Sequence, residues 1–68
     1  MEQNISTNNY TVKCLGGMIV DSKMTYDRAK EVAKKVAFEE GVSYVYEKHT
    51  LIAIYHSDFL ERITCEEV

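Results

Sequence analysis

Two histidines and two cysteines are the side chains that could do chemistry in this chain of 68 residues. His49 and His56 lie seven positions apart and neither Cys14 nor Cys65 is near them, so the Cys-x-x-Cys and Cys/His spacings of metal sites are absent. Each histidine is a candidate general base, but a lone histidine is more typical of an exposed turn or strand end. The sequence therefore predicts no metal site, no catalytic residue and no cofactor.

The length of the chain also argues against an enzyme. A substrate site needs a concave surface with convergent polar groups, and 68 residues leave little volume for one. We therefore predict that the protein is not an enzyme and has no small-molecule substrate. A core of this size is marginal, and with no disulfide or metal pattern we expect association with another chain to supply further stability.

The cysteines indicate a reducing compartment. Cys14 lies in an alternating stretch, where a thiol is more often a small buried hydrophobe than a nucleophile. No positively charged start leads into an apolar run, and no apolar stretch is long enough to span a bilayer. We expect a cytoplasmic location and no membrane association.

Three tyrosines form the candidate binding group. Tyr44, Tyr46 and Tyr55 would make an aromatic platform if they lie on one sheet face. Such platforms stack single-stranded bases in RNA-binding modules, which surround their aromatics with lysine and arginine. Here only Lys48 and His49 are close by in sequence, and tyrosine is equally enriched in protein interfaces. Protein contact is therefore favoured over nucleic acid.

The net charge of −3 resides in the C-terminal segment. Lysines and arginines balance the carboxylates elsewhere, whereas Asp58, Glu61, Glu66 and Glu67 face only Arg62. Binding to phosphates needs a surplus of basic residues, so nucleic acid is disfavoured as a partner. An acidic surface that imitates nucleic acid stays open as an alternative.

The segment from Thr25 to Gly41 has the clearest secondary-structure pattern. Its apolar residues recur with the period of a helix and form one slim stripe: Ala29, Val32, Ala33, Val36 and Ala37. Thr25 is suited to cap the first turn, and Gly41 can adopt the left-handed conformation that ends a helix. The sequence predicts one amphipathic helix with both ends specified.

Strand patterns precede the helix. Residues 1–9 are polar, and we expect a flexible N-terminus. Tyr10–Cys14 alternates between apolar and polar residues, and Met18–Ser22 would be the returning strand. Gly16 and Gly17 between them favour a hairpin turn, with one long strand and a glycine bulge as the alternative.

Two further strands follow the helix, roughly Val42–Glu47 and Thr50–His56, joined near Lys48 and His49. The predicted fold is α+β, with a small antiparallel sheet of three to four strands, the order ββαββ and the helix on one face. Residues 10–57 form this domain, and residues 58–68 form an acidic C-terminal segment.

The second of these strands is apolar at every position from Leu51 to Tyr55, so both of its faces need cover. One helix covers one face, which we expect to hold Val45, Ile52 and Ile54. The residues left on the other face are the predicted partner or dimer interface: Tyr44, Tyr46, Leu51, Ala53 and Tyr55. Its cover is either a short helix over Ser57–Cys65 or another protein chain.

The helix start resembles those of small bacteriophage-encoded accessory proteins. Thr25, Asp27, Ala29 and Ala33 match a T-x-D/E-x-A-x-x-x-A pattern, and Tyr44-Val45-Tyr46 follows the glycine-ended helix, so the resemblance covers residues 10–56. It implies a compact α+β chain of a kind that often binds and redirects or inhibits a host protein in the host cytoplasm, and several such chains are dimers. It carries no functional residue across.

We therefore expect a non-enzymatic protein-binding module, a homodimer, that modulates or inhibits a larger host protein by surface occlusion. Its partners are itself, a larger protein, or both. Two alternatives remain: an acidic nucleic-acid mimic that inhibits a DNA-binding protein, and a small single-stranded nucleic-acid binder that uses the tyrosine platform.

Overall fold

One antiparallel sheet of five strands carries a single helix on one face, in a computed structural model that describes residues 8–58, 60 and 62–68. The elements in chain order are β1 (Tyr10–Cys14), β2 (Ile19–Met24), α1 (Tyr26–Glu40), β3 (Val42–Glu47), β4 (Thr50–Ser57) and β5 (Ile63–Glu67). The strands lie side by side in the order β2-β1-β3-β4-β5. The predicted α+β class with one helix is confirmed, but the sheet has five strands instead of three to four.

The ends of α1 are those that the sequence predicts. The Thr25 hydroxyl accepts a hydrogen bond from the Arg28 N–H at 3.2 Å and so satisfies one free donor of the first turn. Gly41 has a φ of 94°, and its N–H donates to the Ala37 carbonyl at 2.7 Å. A left-handed C-cap of this kind favours glycine because other residues meet a steric cost there.

The helix approaches the sheet closely because both surfaces are small where they meet. Ala29, Ala33 and Ala37 are completely buried against the sheet. Beneath them, the Ser43 hydroxyl donates a 2.6 Å hydrogen bond to the Ala33 carbonyl. A side chain as short as serine reaches a helix backbone only when no bulky residue separates the two layers. The fully buried Val12 and Val45 fill the remainder of this contact.

The first hairpin, between β1 and β2, confirms the turn interpretation of the Gly-Gly pair over the bulge alternative. Gly17 N–H donates to the Cys14 carbonyl and Cys14 N–H donates to the Met18 carbonyl, both at 2.9 Å. Gly16 and Gly17 have φ values of 92° and 85°, a conformation that L side chains rarely adopt. The loop between the bonded residues therefore spans Leu15–Gly17 and is one residue longer than a two-residue turn.

The second hairpin, between β3 and β4, contains a β-bulge that the sequence pattern does not indicate. Next to the turn Tyr46 pairs with Leu51, whereas further along Val45 pairs with Ala53. Ile52 is thus an extra residue in β4 with no partner in β3. A regular hairpin with the same turn would have placed Ile52 opposite Val45.

Beyond this bulge, Ala53, Ile54 and Tyr55 lie on the faces opposite to those predicted. Ala53 and Tyr55 belong to the core beneath the helix and are only 4% and 5% exposed. Ile54 pairs with Tyr44 on the other face. The prediction that Ile54 lies under the helix, with Ala53 and Tyr55 on the uncovered face, is wrong because one extra residue inverts a period of two.

The C-terminal segment adds a strand to the sheet. Asp58 organises the turn after β4, since its carboxylate accepts hydrogen bonds from the Leu60 and Arg62 N–H groups, each at 2.9 Å. The Arg62 N–H, and with it the Leu60 N–H and the Arg62 side chain, lowers the pKa of Asp58. Residues 63–67 then pair with β4 along its free edge. Residues 63–67 therefore widen the sheet and do not cover its second face.

The short helix over Ser57–Cys65 is consequently wrong for the part that lies in β5. β-Branched Ile63 and Thr64 suit a strand, and the edge of β4 offers unpaired N–H and C=O groups. Residues 59 and 61 of that predicted helix lie outside the described residues, as do residues 1–7 of the predicted flexible N-terminus. In the part of the chain that the structure describes, no helix is long and apolar enough to cross a membrane.

We predict that enlarging the alanine stripe destabilises the fold. Ala33→Leu places a bulky side chain where the helix meets the sheet and should lower the free energy of unfolding by about 1–3 kcal/mol, or more if the layers separate. The exposed neighbour Lys34→Leu is the control and should change it by about 0.5 kcal/mol or less. Chemical denaturation measures both, and equal effects of the two variants would contradict the packing described.

A second prediction concerns alkaline pH. Burial, followed by a hydrogen bond with the Cys65 thiol, raises the pKa of Tyr55 to about 12. Because the unfolded pKa is about 10, this stabilisation is complete below pH ~10 and is lost as the pH rises towards ~12. Unfolding experiments across this range should show a loss on the order of 2 kcal/mol.

The matched variants are Tyr55→Phe and Tyr44→Phe. Tyr55→Phe should flatten the alkaline loss because it removes the titrating hydroxyl from the core. Tyr44→Phe alters the opposite face of the sheet and should leave the loss in place. An unchanged slope in Tyr55→Phe would show that another group causes the alkaline instability.

Candidate functional site

The face of the sheet opposite the helix, here called the open face, is the candidate site. Five residues form a row across all five strands because each pairs directly with the next. From β2 to β5 the row is Ile19, Lys13, Tyr44, Ile54 and Glu66. A second, shorter row lies beside it and consists of Thr11, Tyr46 and Leu51. The two rows place aromatic and aliphatic side chains at the centre of the open face.

Lys13 is held across this centre by a contact with an aromatic ring. Its Nζ lies 4.5 Å from the centroid of the Tyr46 ring, within the range of a cation–π interaction. Lys13 and Tyr46 are both half-buried, so the aliphatic stem of the lysine covers part of the apolar surface. This contact orients a positive charge on the β1 side of the open face.

The opposite side of the open face carries negative charge. Glu66 on β5 is exposed, and its Oε1 lies 3.8 Å from the His56 Nε2. An exposed pair of this kind contributes little to stability and depends on protonation of the histidine. The open face therefore has a basic side, an apolar centre and an acidic side.

Three of the predicted interface residues lie together on the open face: Tyr44, Tyr46 and Leu51. Ala53 and Tyr55 do not, since they pack beneath the helix. The predicted platform of three tyrosines is therefore reduced to two, Tyr44 and Tyr46. Ile54 pairs directly with Tyr44 on this face.

Sequence reasoning did not assign Lys13, Ile54 or Glu66 to the candidate interface. The alternation of β1 puts Val12 and Lys13 on different faces of the sheet, and it could have indicated that Lys13 lies on the face that the helix does not cover. Ile54 was expected under the helix, and Glu66 was placed only in the acidic C-terminal segment. Their positions depend on the bulge at Ile52 and on the pairing of β5, which join residues distant in sequence.

A further set of apolar side chains is exposed on the first hairpin and β2. Leu15, Met18 and Ile19 are 61%, 71% and 62% exposed, and Val20 is 44% exposed. Ile19 connects this set to the open face through its pairing with Lys13. Exposed apolar side chains thus also line the β2 edge of the sheet, separated from the apolar centre by Lys13.

The histidines and cysteines are dispersed over the structure. His49 lies in the exposed turn between β3 and β4, and His56 lies on β4. Cys14 is half-buried and Cys65 is exposed, and both are free thiols. Among residues 8–58, 60 and 62–68 we find no pocket and no group of three or more His, Cys, Asp or Glu side chains that could hold a metal ion.

Comparisons with known proteins do not add to this description. No protein-family model, no curated protein and no solved structure matches the chain. The resemblance to small bacteriophage-encoded proteins therefore stays an expectation.

Proposed function

We propose that this chain is a non-enzymatic protein-binding module that docks through the open face and acts by occupying a surface of its partner. One observation carries the proposal. The helix covers one side of the sheet. Strand β5 adds to the edge of the sheet and does not cover the other side. Tyr44, Tyr46, Leu51 and Ile54 therefore form an apolar centre that the described residues leave without a second layer.

The charges on the open face support a protein partner over single-stranded nucleic acid. Stacking platforms for bases need basic residues around the aromatics to contact the phosphates. Within the described rows the only lysine is Lys13, and Glu66 carries the opposite charge at the other end of the long row. Tyrosines with aliphatic neighbours and few charges are instead typical of the core of a protein interface.

The positions of the acidic residues count against a nucleic-acid mimic. A mimic needs carboxylates aligned on one surface at the spacing of phosphates. Glu66 and Glu67 are consecutive in β5 and point to opposite faces of the sheet. The Asp58 carboxylate is engaged by Leu60 and Arg62 in the turn. The described carboxylates of the C-terminal segment, Asp58, Glu66 and Glu67, are therefore spread over several surfaces.

We predict that a charge at the centre of the open face abolishes binding without unfolding the protein. Ile54→Glu places a carboxylate between Tyr44 and Glu66, where a docked partner would have to desolvate it. Complexes should be captured by chemical cross-linking with the purified chain and with a host lysate, the latter treated with nuclease. Cross-linked protein should fall at least about tenfold for Ile54→Glu, an equivalent of about 1.4 kcal/mol.

The control is Lys34→Glu, which changes the charge on the exposed side of the helix and should preserve the complexes. Circular dichroism should show that both variants are folded. Nuclease-sensitive complexes, or a shift of labelled single-stranded oligonucleotides at low salt, would contradict the proposal in favour of a nucleic-acid binder. Equal cross-linking of both variants would also contradict it.

A further inference from the structure

The long row of the open face is self-complementary. It begins with Ile19, and the next four residues are Lys13, Tyr44, Ile54 and Glu66 on β1, β3, β4 and β5. A positive and a negative group thus flank two apolar residues at equal strand spacing. The midpoint of this pattern lies between β3 and β4.

We propose that the partner of the open face is a second copy of this chain, packed face to face about a two-fold axis that runs parallel to the strands between β3 and β4. This inference rests on the proposed function, because it names the partner of the same surface. The axis places β3 of one copy over β4 of the other, and β1 of one copy over β5 of the other. The interface is isologous, so each contact occurs twice.

The same axis satisfies both rows. In the long row, Tyr44 of each copy lies over Ile54 of the other, and Lys13 lies over Glu66. In the short row, Tyr46 lies over Leu51. Within these two rows, each aromatic ring therefore meets an aliphatic side chain, and each charge meets its opposite. Sheets that pack about 10 Å apart leave room for such interdigitation.

The alternative two-fold axis, which runs across the strands along the long row, is disfavoured by charge. It would place each strand over itself and so bring Glu66 over Glu66 and Lys13 over Lys13. Like charges opposed across an interface cost several kcal/mol. The distribution of charge on the open face therefore selects the axis that runs parallel to the strands.

The size of the open face sets the expected affinity. The four strands that this axis superposes, with spacings of about 4.8 Å and a rise of about 3.3 Å per residue, give a projected area on the order of 300 Å². A standard interface buries about 800 Å² on each partner, so this contact is at the small end. We expect a reversible dimer with a dissociation constant in the micromolar range, in which the ion pairs contribute orientation more than affinity.

Charge reversal tests this arrangement. Sedimentation velocity over a range of concentrations, in reducing buffer because Cys65 is exposed, measures dimerisation of the full chain. In a dimer of Lys13→Glu, the new carboxylate of each copy faces Glu66 of the other. In a dimer of Glu66→Lys, the new ammonium group of each copy faces Lys13 of the other. Each single variant should dimerise at least about tenfold more weakly than the wild type.

An equimolar mixture of the two single variants should recover the dimer. In the mixed pair every reversed charge faces an opposite charge on the other copy. The double variant Lys13→Glu with Glu66→Lys should dimerise on its own for the same reason. Recovery in the mixture also shows that the single variants are folded, and Lys34→Glu on the outer side of the helix should behave as the wild type.

Three results would overturn the inference. The first is a wild-type chain that stays monomeric at millimolar concentration. If Ile54-dependent cross-linking to a larger protein persists in that case, the proposed function survives with a different partner. The second is a dimer that neither single reversal weakens, which places the contact elsewhere on the molecule. The third is two weakened single variants whose mixture does not recover. Loss of both self-association and all Ile54-dependent cross-linking would contradict the proposed function as well.

Discussion

The hydrogen bond from the Ser43 hydroxyl to the Ala33 carbonyl marks the constraint on which the rest of the structure depends, the close approach of helix and sheet. Alanines on the helix permit this approach, and the sheet meets them with small residues of its own, Ser43 and Ala53. The helix packs on β1, β3 and β4 at the centre of the sheet. The helix lies on one face of the sheet and therefore does not cover the other.

The elements that sequence reasoning located correctly are those with local signals. The helix begins at a capping hydroxyl and ends at a glycine, and both groups form the hydrogen bonds expected of them. The Gly-Gly pair marks a hairpin because both glycines adopt positive φ angles, which other residues rarely adopt. Local chemistry also located the turn between β3 and β4, since Glu47 pairs with Thr50 across Lys48 and His49.

The faces of β4 were beyond local reasoning, because Leu51 to Tyr55 is apolar throughout and contains no alternation to indicate which side is covered. The extra residue at Ile52 resolves this in favour of the smallest side chain. Ala53 fits beneath the alanine stripe opposite Val45, where a regular register would have inserted the bulkier Ile52. Strand β5 was missed for a related reason, since its signal is the vacant edge of β4 and not its own sequence.

The bulge connects the core to the candidate site. By turning Ala53 and Tyr55 towards the helix, it turns Ile54 outwards, between Tyr44 and Glu66. In a regular register Ala53 would occupy that place, and the middle of the open face would be too small to meet a tyrosine of another copy. The extra residue at Ile52 therefore allows the helix to lie close to the sheet. It also completes the long row, in which Tyr44 and Ile54 lie between the opposite charges of Lys13 and Glu66.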